Sequence, residues 1–295
     1  MTTESSQFAP FRKTINPLKC LPFLIAHAGC LLALWTGVSA LALLVCVVLY
    51  VVRAFGLTAG YHRYFSHHSF KTGRGFQFFL ALLGASAAQN GPLWWAAHHR
   101  AHHGTTDRDG DVHSPVIHGF WWAHVGWIMS GLFRRTEETR VKDWMKYGEL
   151  RWINRHHYLI PIGLAGALYG LGEWLRVGAP ALGTNGLQML AWGFFISTVT
   201  LYHTTFATNS VSHLWGRRRY ETADHSRNNA ILAILTLGEG WHNNHHRYPN
   251  CERQGFARWE IDVTHYAIVA LSWLGLVWDV RHPPGPVLAE GGIPQ

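Results

Sequence analysis

Acidic residues are scarce in this chain. Its 295 residues include 17 Asp and Glu against 21 His, and charged residues of all kinds make up 14%, well below the roughly 25% of an ordinary soluble domain. Imidazole is therefore the dominant titratable side chain apart from Lys and Arg, which favours chemistry of metals or protons. The four cysteines, Cys20, Cys30, Cys46 and Cys251, form no C-x-x-C pair, and three lie in apolar sequence. That excludes a disulfide framework and a thiolate metal site. No H-E-x-x-H stretch is present, so nothing singles out a zinc hydrolase.

Long apolar runs, in contrast, are plentiful. Residues 20–52 contain no Asp, Glu, Lys or Arg; as one helix they would run roughly 50 Å, against a bilayer core of about 30 Å. Two spans joined near Thr36 and Gly37 fit better, the second passing Arg53, whose long side chain is expected to snorkel. Two more runs flank an uncharged Gly/Pro/Asn linker. The expected fold is all-α: an integral membrane protein with four transmembrane helices in two hairpins, at about 20–37, 39–60, 158–176 and 187–207. They belong to a domain over 20–285, between an N-terminal arm at 1–19 and a flexible tail at 286–295.

Charge sets the orientation. Arg12, Lys13 and Lys19 precede the first run, 13 basic residues fall in 53–157 and eight after 207, while the inter-span linkers near 36 and 178–186 carry none. Basic residues stay cytoplasmic, so both termini and the middle segment should lie on that side. Topology and anionic headgroups then account for the net charge of +8 without a nucleic-acid partner. No cleavable signal peptide is expected, because the first apolar run follows a long polar arm and continues into a second span.

Three histidine clusters stand out: HRYFSH at His62 to His67, HHRAHH at His98 to His103, and HNNHH at His242 to His246. An even number of crossings separates them, so all three share one compartment. His99, His102 and His103 share a helix face, as do His242, His245 and His246. His62 and His67 suit a helix end and its following turn. Adjacent His68 and His98 should point about 100° away. Eight imidazoles exceed what one ion takes with an open position, so two ions are the natural count. Imidazole suits Zn, Cu, Fe or Ni; iron or copper is the more useful for redox chemistry. Ferritin-like di-iron sites need Glu-x-x-His pairs that the clusters lack. The apolar runs at 75–88 and 266–278 must not cross if the clusters are to meet, and read as interfacial helices. A histidine-rich metal carrier would need ligands along a transmembrane path, where only isolated His27 and His203 occur.

These residues resemble the membrane fatty acid desaturases, specifically the group containing the acyl-CoA delta-9 (stearoyl-CoA type) enzymes, in a bacterial-like form. The resemblance rests on GLTAGYHRYFSHHSF, HHRAHHGTTDRDGDVHSP with GFWWAHVGW, NSVSHLWG and GEGWHNNHHRYP. It implies a centre of two Fe ions held by His62, His67, His99, His102, His103, His213, His242, His245 and His246, with Asn209 reaching a metal through water. It implies an enzyme that uses O2 and two external electrons to insert a cis double bond, at carbon 9, into a long-chain saturated acyl-CoA. Gln89, Asn90 and Trp95 match positions that contact the acyl chain or its thioester end in the family; the alternative for Trp95 is an interfacial anchor. No catalytic residue beyond the metal centre is implied.

With no heme-binding His-Pro-Gly-Gly segment and no rubredoxin-like cysteine motif, the electrons should come from a separate donor such as ferredoxin, rubredoxin or a cytochrome with its reductase. Asp107, Asp109, Asp111, Asp224 and Glu239 lie near the boxes as imidazole partners or as solvated loop acids. His113 and His124 read as supporting rather than ligating. One departure bears on the carrier: animal acyl-CoA enzymes have an Arg-Asp pair where this chain has Ala97 and His98. An acyl-lipid substrate is thus the alternative, as are hydroxylation or acetylenation on the same scaffold.

Overall fold

The structure is a computed structural model that describes residues 13–294; of the expected N-terminal arm, residues 1–12, Arg12 among them, lie outside the described residues. Helix α1 (Pro17–Gly29) is followed by a two-residue break and α2 (Leu32–Thr36), which Gly37 ends at φ 65°. The hydroxyl of Ser39 caps α3 (Ala40–Phe55) by accepting from the amide of Ala42, so the expected turn near 36–37 is where the chain reverses. From Phe55 the helix continues without interruption into a π-helical segment, Gly56–Ser66, that carries the first histidine box.

Helix α4 (Arg74–Ser86) packs along this segment, and α5 (Pro92–Thr105) carries the second box. Close approach between α3, its π-helical extension and α4 needs two glycines. A Cβ at Gly84 would run into the Tyr61 ring, and one at Gly56 into the Leu83 backbone. The buried core here joins Leu57, Tyr61, Phe65, Leu80 and Leu93 to Leu150 and Ile153 of α6 (Gly148–Arg155). Helix α7 (Leu159–Gly178) pairs with a helical run from Gly186 to Ser210 that passes through a π-helical stretch, Leu190–Ile196, into α8 (Ser197–Ser210). The third box is on the short α10 (His242–Arg247), preceded by α9 (Ala230–Leu235) and followed by α11 (Val263–Trp273). A two-residue antiparallel pair, β1 (Lys71–Thr72) with β2 (Val277–Trp278), ties the chain's end to the first box.

The protein is thus mostly helical, as expected, but the four-span count is not matched by four long apolar helices. Among the described residues one helix, Ala40–Ser66, is long and apolar enough to cross a membrane. Cys20–Thr36 falls short in length. Helix α7 carries Glu173 and Arg176, and α8 is rich in Ser, Thr, His and Asn, which lowers its hydropathy. Large side chains such as Leu34, Trp35, Leu44, Val47 and Val48 are nonetheless exposed on α2 and α3. Two other expectations are corrected. Arg53 does not snorkel: it is 1% exposed and turned into the helix bundle. The segment expected to be a flexible tail carries a short helix, Gly285–Glu290, whose Val287 packs with Tyr220, Cys251 and Phe256, while Glu290 pairs with Arg247.

Candidate metal centre

The π-helical backbone explains how a five-residue spacing becomes a ligand pair. In a π-turn the amide of residue i+5 bonds to the carbonyl of residue i, and the His67 amide donates to the His62 carbonyl at 3.3 Å. The two rings end 5.0 Å apart between centroids. On α5, His99 and His103 face this pair. His67 and His99 have Nε2 atoms 2.7 Å apart, His103 and His99 3.0 Å. His245 of α10 closes the group, its Nε2 lying 3.1 Å from that of His62 and 3.0 Å from that of His103.

A second group lies alongside. It comprises His102 from the next face of α5, His213 just beyond α8, and His242 and His246 of α10; the Nε2 atoms of His213 and His242 are 3.0 Å apart. In each group one ring nitrogen per histidine falls within 4.8 Å of all the others. The nine imidazoles anticipated from spacing and resemblance are therefore brought together as five and four. His68 and His98 enter neither group: His68 bonds to Asp143 at 2.7 Å and stacks on Trp144, and His98 bonds to the carbonyl of Trp94.

Four of the opposite ring nitrogens face carboxylates. His213 Nδ1 lies 2.9 Å from Asp107, His246 Nδ1 2.9 Å from Asp224 and His102 Nδ1 3.1 Å from Asp111, while His62 Nδ1 meets Glu239. An Nδ1–H donated outward leaves the Nε2 lone pair aimed inward, as metal ligation requires. The Nε2 atoms of His102 and His246 are buried without a protein partner. Burial pushes His67, His99, His103, His242 and His245 well below the ordinary imidazole range, and neighbouring imidazoles add to it. Burial also lowers His246, to about 4, although Asp224 opposes the shift. Burial alone would raise the Asp107, Asp111 and Asp224 carboxyls, but their histidine partners hold all three well below the usual carboxylate range. Asp111 raises His102 against its burial, but six of the nine imidazoles are lowered, and such rings with ionised carboxylates nearby form a donor set suited to divalent transition ions.

Of the five candidate acids, Asp109 alone stays exposed on its loop. His113 shares Asp111 with His102, bonding to its other oxygen at 2.9 Å, and His124 bonds to Ser210 and His203 rather than to either group.

Several supports are not visible as motifs. Both asparagines of HNNHH are fully buried: Asn243 accepts the amides of Arg219 and Tyr220, and Asn244 donates to the Gln254 carbonyl and to Glu260. Arg63, also fully buried, bridges Glu239 and Asp262, and Arg100 holds Asp143 and the Phe65 and Ser66 carbonyls at the end of the first box.

A cavity of about 810 Å3 reaches from the two groups into the helix bundle. His62 and His99 of the first group and His242 of the second line its upper end, with Thr58, Glu239 and Asn209; Tyr50, Ala26, Phe194, Phe195 and Ile162 line its apolar walls. Gln89, Asn90 and Trp95 also line it. Gln89 donates to Thr205 at 3.1 Å, Asn90 adopts φ 64° with its carbonyl accepting from Tyr61, and Trp95 stacks on His99 at 5.0 Å. Trp95 is thus half-buried against a candidate ligand.

A helical scaffold that buries two neighbouring imidazole groups beside a largely apolar cavity offers donor sets for two ions next to room for an apolar molecule. The fatty acid desaturase profile matches residues 38–271, and the chain belongs to that membrane-associated family of oxidoreductases of lipid metabolism. It is 37% identical to an sn-2 palmitoyl-lipid 9-desaturase of Nostoc sp. (strain 36), over 96% of this chain and 98% of that protein. An sn-1 stearoyl-lipid 9-desaturase of Anabaena variabilis is 35% identical over 90% and 94%. An acyl-CoA C20 Delta5-desaturase of Anemone leveillei is 38% identical over 81% and 73%.

Proposed function

We propose that this desaturase inserts a cis double bond at carbon 9 of a long saturated acyl chain carried by a membrane lipid. The observation that carries the chemistry is the opening of both histidine groups onto one long apolar cavity. Two relatives matched over nine-tenths or more of their length are named as lipid 9-desaturases, which supports the lipid carrier over acyl-CoA. Ala97 and His98, in place of an Arg-Asp pair, point the same way. In this reading α1 with α2, α3, α7 and the run ending in α8 form two membrane hairpins, and the boxes face the cytoplasm.

The nine histidines would hold two iron ions, with Asn209 acting through water. When bound, the irons supply the redox chemistry that removes one hydrogen from each of two neighbouring methylenes. Overall, O2, two electrons and two protons join those hydrogens to give two waters and the alkene. The electrons come from a separate donor protein such as ferredoxin, rubredoxin or a cytochrome with its reductase. The chain's own residues orient and exclude. Asp107, Asp111, Asp224 and Glu239 keep the Nδ1 protons outward. The apolar walls take up methylenes and keep water out, and Trp95 stands beside His99. Gln89 and Asn90 lie where the polar end of the substrate must stop.

Expression in a host without its own delta-9 desaturase tests the reading, with gas chromatography locating any new double bond and lipid-class separation locating its carrier. New 9-cis chains esterified in membrane lipid, formed even when acyl-CoA is depleted, are the expected result. Product that disappears with acyl-CoA would move the substrate to the thioester; hydroxylated chains alone would overturn desaturation.

A further inference from the structure

Arg53 is a cation where the fold gives it no acid. It sits on α3, nine residues before His62, and is almost fully buried. Among the described residues no carboxylate pairs with it. Its guanidinium is met by neutral oxygens: Thr198 Oγ1 at 2.9 and 3.0 Å, Ser197 Oγ at 3.0 Å, and the Ser86 and Leu49 carbonyls at 3.3 Å. A charge inside a membrane span is costly and is ordinarily paired or functional; a Leu or Met would fill the same helix contact without that cost.

The fork joins three elements at one height. Thr198 and its neighbours Leu201 and Tyr202 line the cavity from α8, and Tyr50 and Ala54 line it from α3 on either side of Arg53. Ser86 ends α4 and leads directly into Ala88, Gln89 and Asn90, which line the cavity, two of them held at positive φ. Tyr202 donating to the Ala88 carbonyl at 2.9 Å and Gln89 donating to Thr205 at 3.1 Å also tie α8 to this segment, and Arg53 reaches both of them from α3. We infer that Arg53 is a positioning residue for desaturation: by pinning α8 and the α4 end to α3 it sets which methylenes of the bound chain lie opposite the histidine groups. This inference rests on the acyl-chain reading of the cavity. Lys keeps the charge but cannot span these acceptors with a planar fork, so geometry and charge can be separated.

Arg53→Lys, Arg53→Met and Thr198→Val are compared with the unaltered enzyme by the double-bond positions of their products. The expected result is a displaced isomer rising at least about tenfold, as a share of product, in all three. In parallel, metal-free protein is irradiated with stearoyl lipids carrying a diazirine at a known carbon, and the labelled residues are mapped by mass spectrometry. The labelled residue should move along the cavity in each variant. An unchanged isomer profile with an unchanged labelling map, whatever happens to yield, would reduce Arg53 to a purely structural role and overturn the inference. If the unaltered enzyme formed no alkene, the proposed function would fall, while the labelling map would still decide the role of Arg53.

Discussion

The two histidine groups differ less in their imidazoles than in what stands behind them. In the group of four, three rings back onto aspartates: His102 onto Asp111, His213 onto Asp107 and His246 onto Asp224. In the group of five, His62 backs onto Glu239, and that carboxylate is shared with Arg63 and Gln254. One group thus has three carboxylates against its rings, one of them shared with His113; the other has one, shared with Arg63 and Gln254. Carboxylates on the far nitrogen raise imidazole basicity and fix ring orientation. The group of four is therefore the tighter seat for a cation. The group of five, with fewer carboxylates against its rings, supplies His62 and His99 to the cavity, and the group of four supplies His242.

The largest expected effect comes from breaking the centre itself. His245→Ala, in the middle of the group of five, should abolish alkene formation and lower bound iron by elemental analysis, with membrane insertion retained; continued turnover would remove His245 from the ligand set. Next is the asymmetry. Asp224→Asn should weaken metal retention about 10–100-fold, seen as earlier loss of one ion in a chelator titration. Glu239→Gln should cost less, because it supports one ring of five. Equal losses from both would erase the distinction drawn between the groups. Chelation of the wild type should also lower the thermal midpoint, since ions that bind the folded chain stabilise it by mass action; a midpoint indifferent to chelator would mean that the groups hold no metal under those conditions.

The smallest effect is a pH dependence away from the metals. Glu252 is buried beneath the chain's end, where His265 and His282 both bond to it. Burial would raise this carboxyl, but its two histidine partners hold it below the usual range, and the Glu252 bond raises His282 above its own. The His282 contribution is complete below about pH 6.5 and is lost as pH rises through its elevated folded value. The Glu252 contribution runs the other way: it is present above the unfolded carboxyl value near 4.3 and lost as pH falls through the depressed folded one. Hydrogen exchange over 281–290 should therefore speed up modestly from pH 6 to pH 9, after correction for intrinsic rates, and His282→Ala should remove the difference. Uniform protection across that range in the wild type would sink this assignment.

Much of the centre is legible in sequence because helix periodicity does the work. The i, i+3, i+4 pattern by itself places His99, His102 and His103 on one face, and His242, His245 and His246 on another. His213 is legible through resemblance alone, since it sits singly in NSVSHLWG. The pairing of His62 with His67 depends on a π-helical backbone that an H-x-x-x-x-H spacing does not reveal. Which acids serve is a matter of loop path: Asp107 and Asp111 turn inward and Asp109, between them, turns out. The inward Arg53 could not be foreseen, because apart from the Leu49 carbonyl its partners, Ser86, Ser197 and Thr198, are 33 to 145 residues away. The span count is the weakest inference from composition, because a helix lined with Ser, Thr and His loses hydropathy where it walls a cavity.

The joining of the chain's end to the first box bears on biosynthesis. His62 meets His245 across 183 residues, and the loop after His67 is held by β2 and by Arg281, whose amide donates to the Ser69 carbonyl. A ribosome adding about 5–20 residues per second needs roughly 10–40 s to make the stretch between those two histidines. Until the third box is made, the nascent chain holds His62, His67, His99 and His103 of the group of five and only His102 and His213 of the group of four, so neither group is closed. Both groups close only when the third box has been made, so a complete set of ring nitrogens forms late in synthesis.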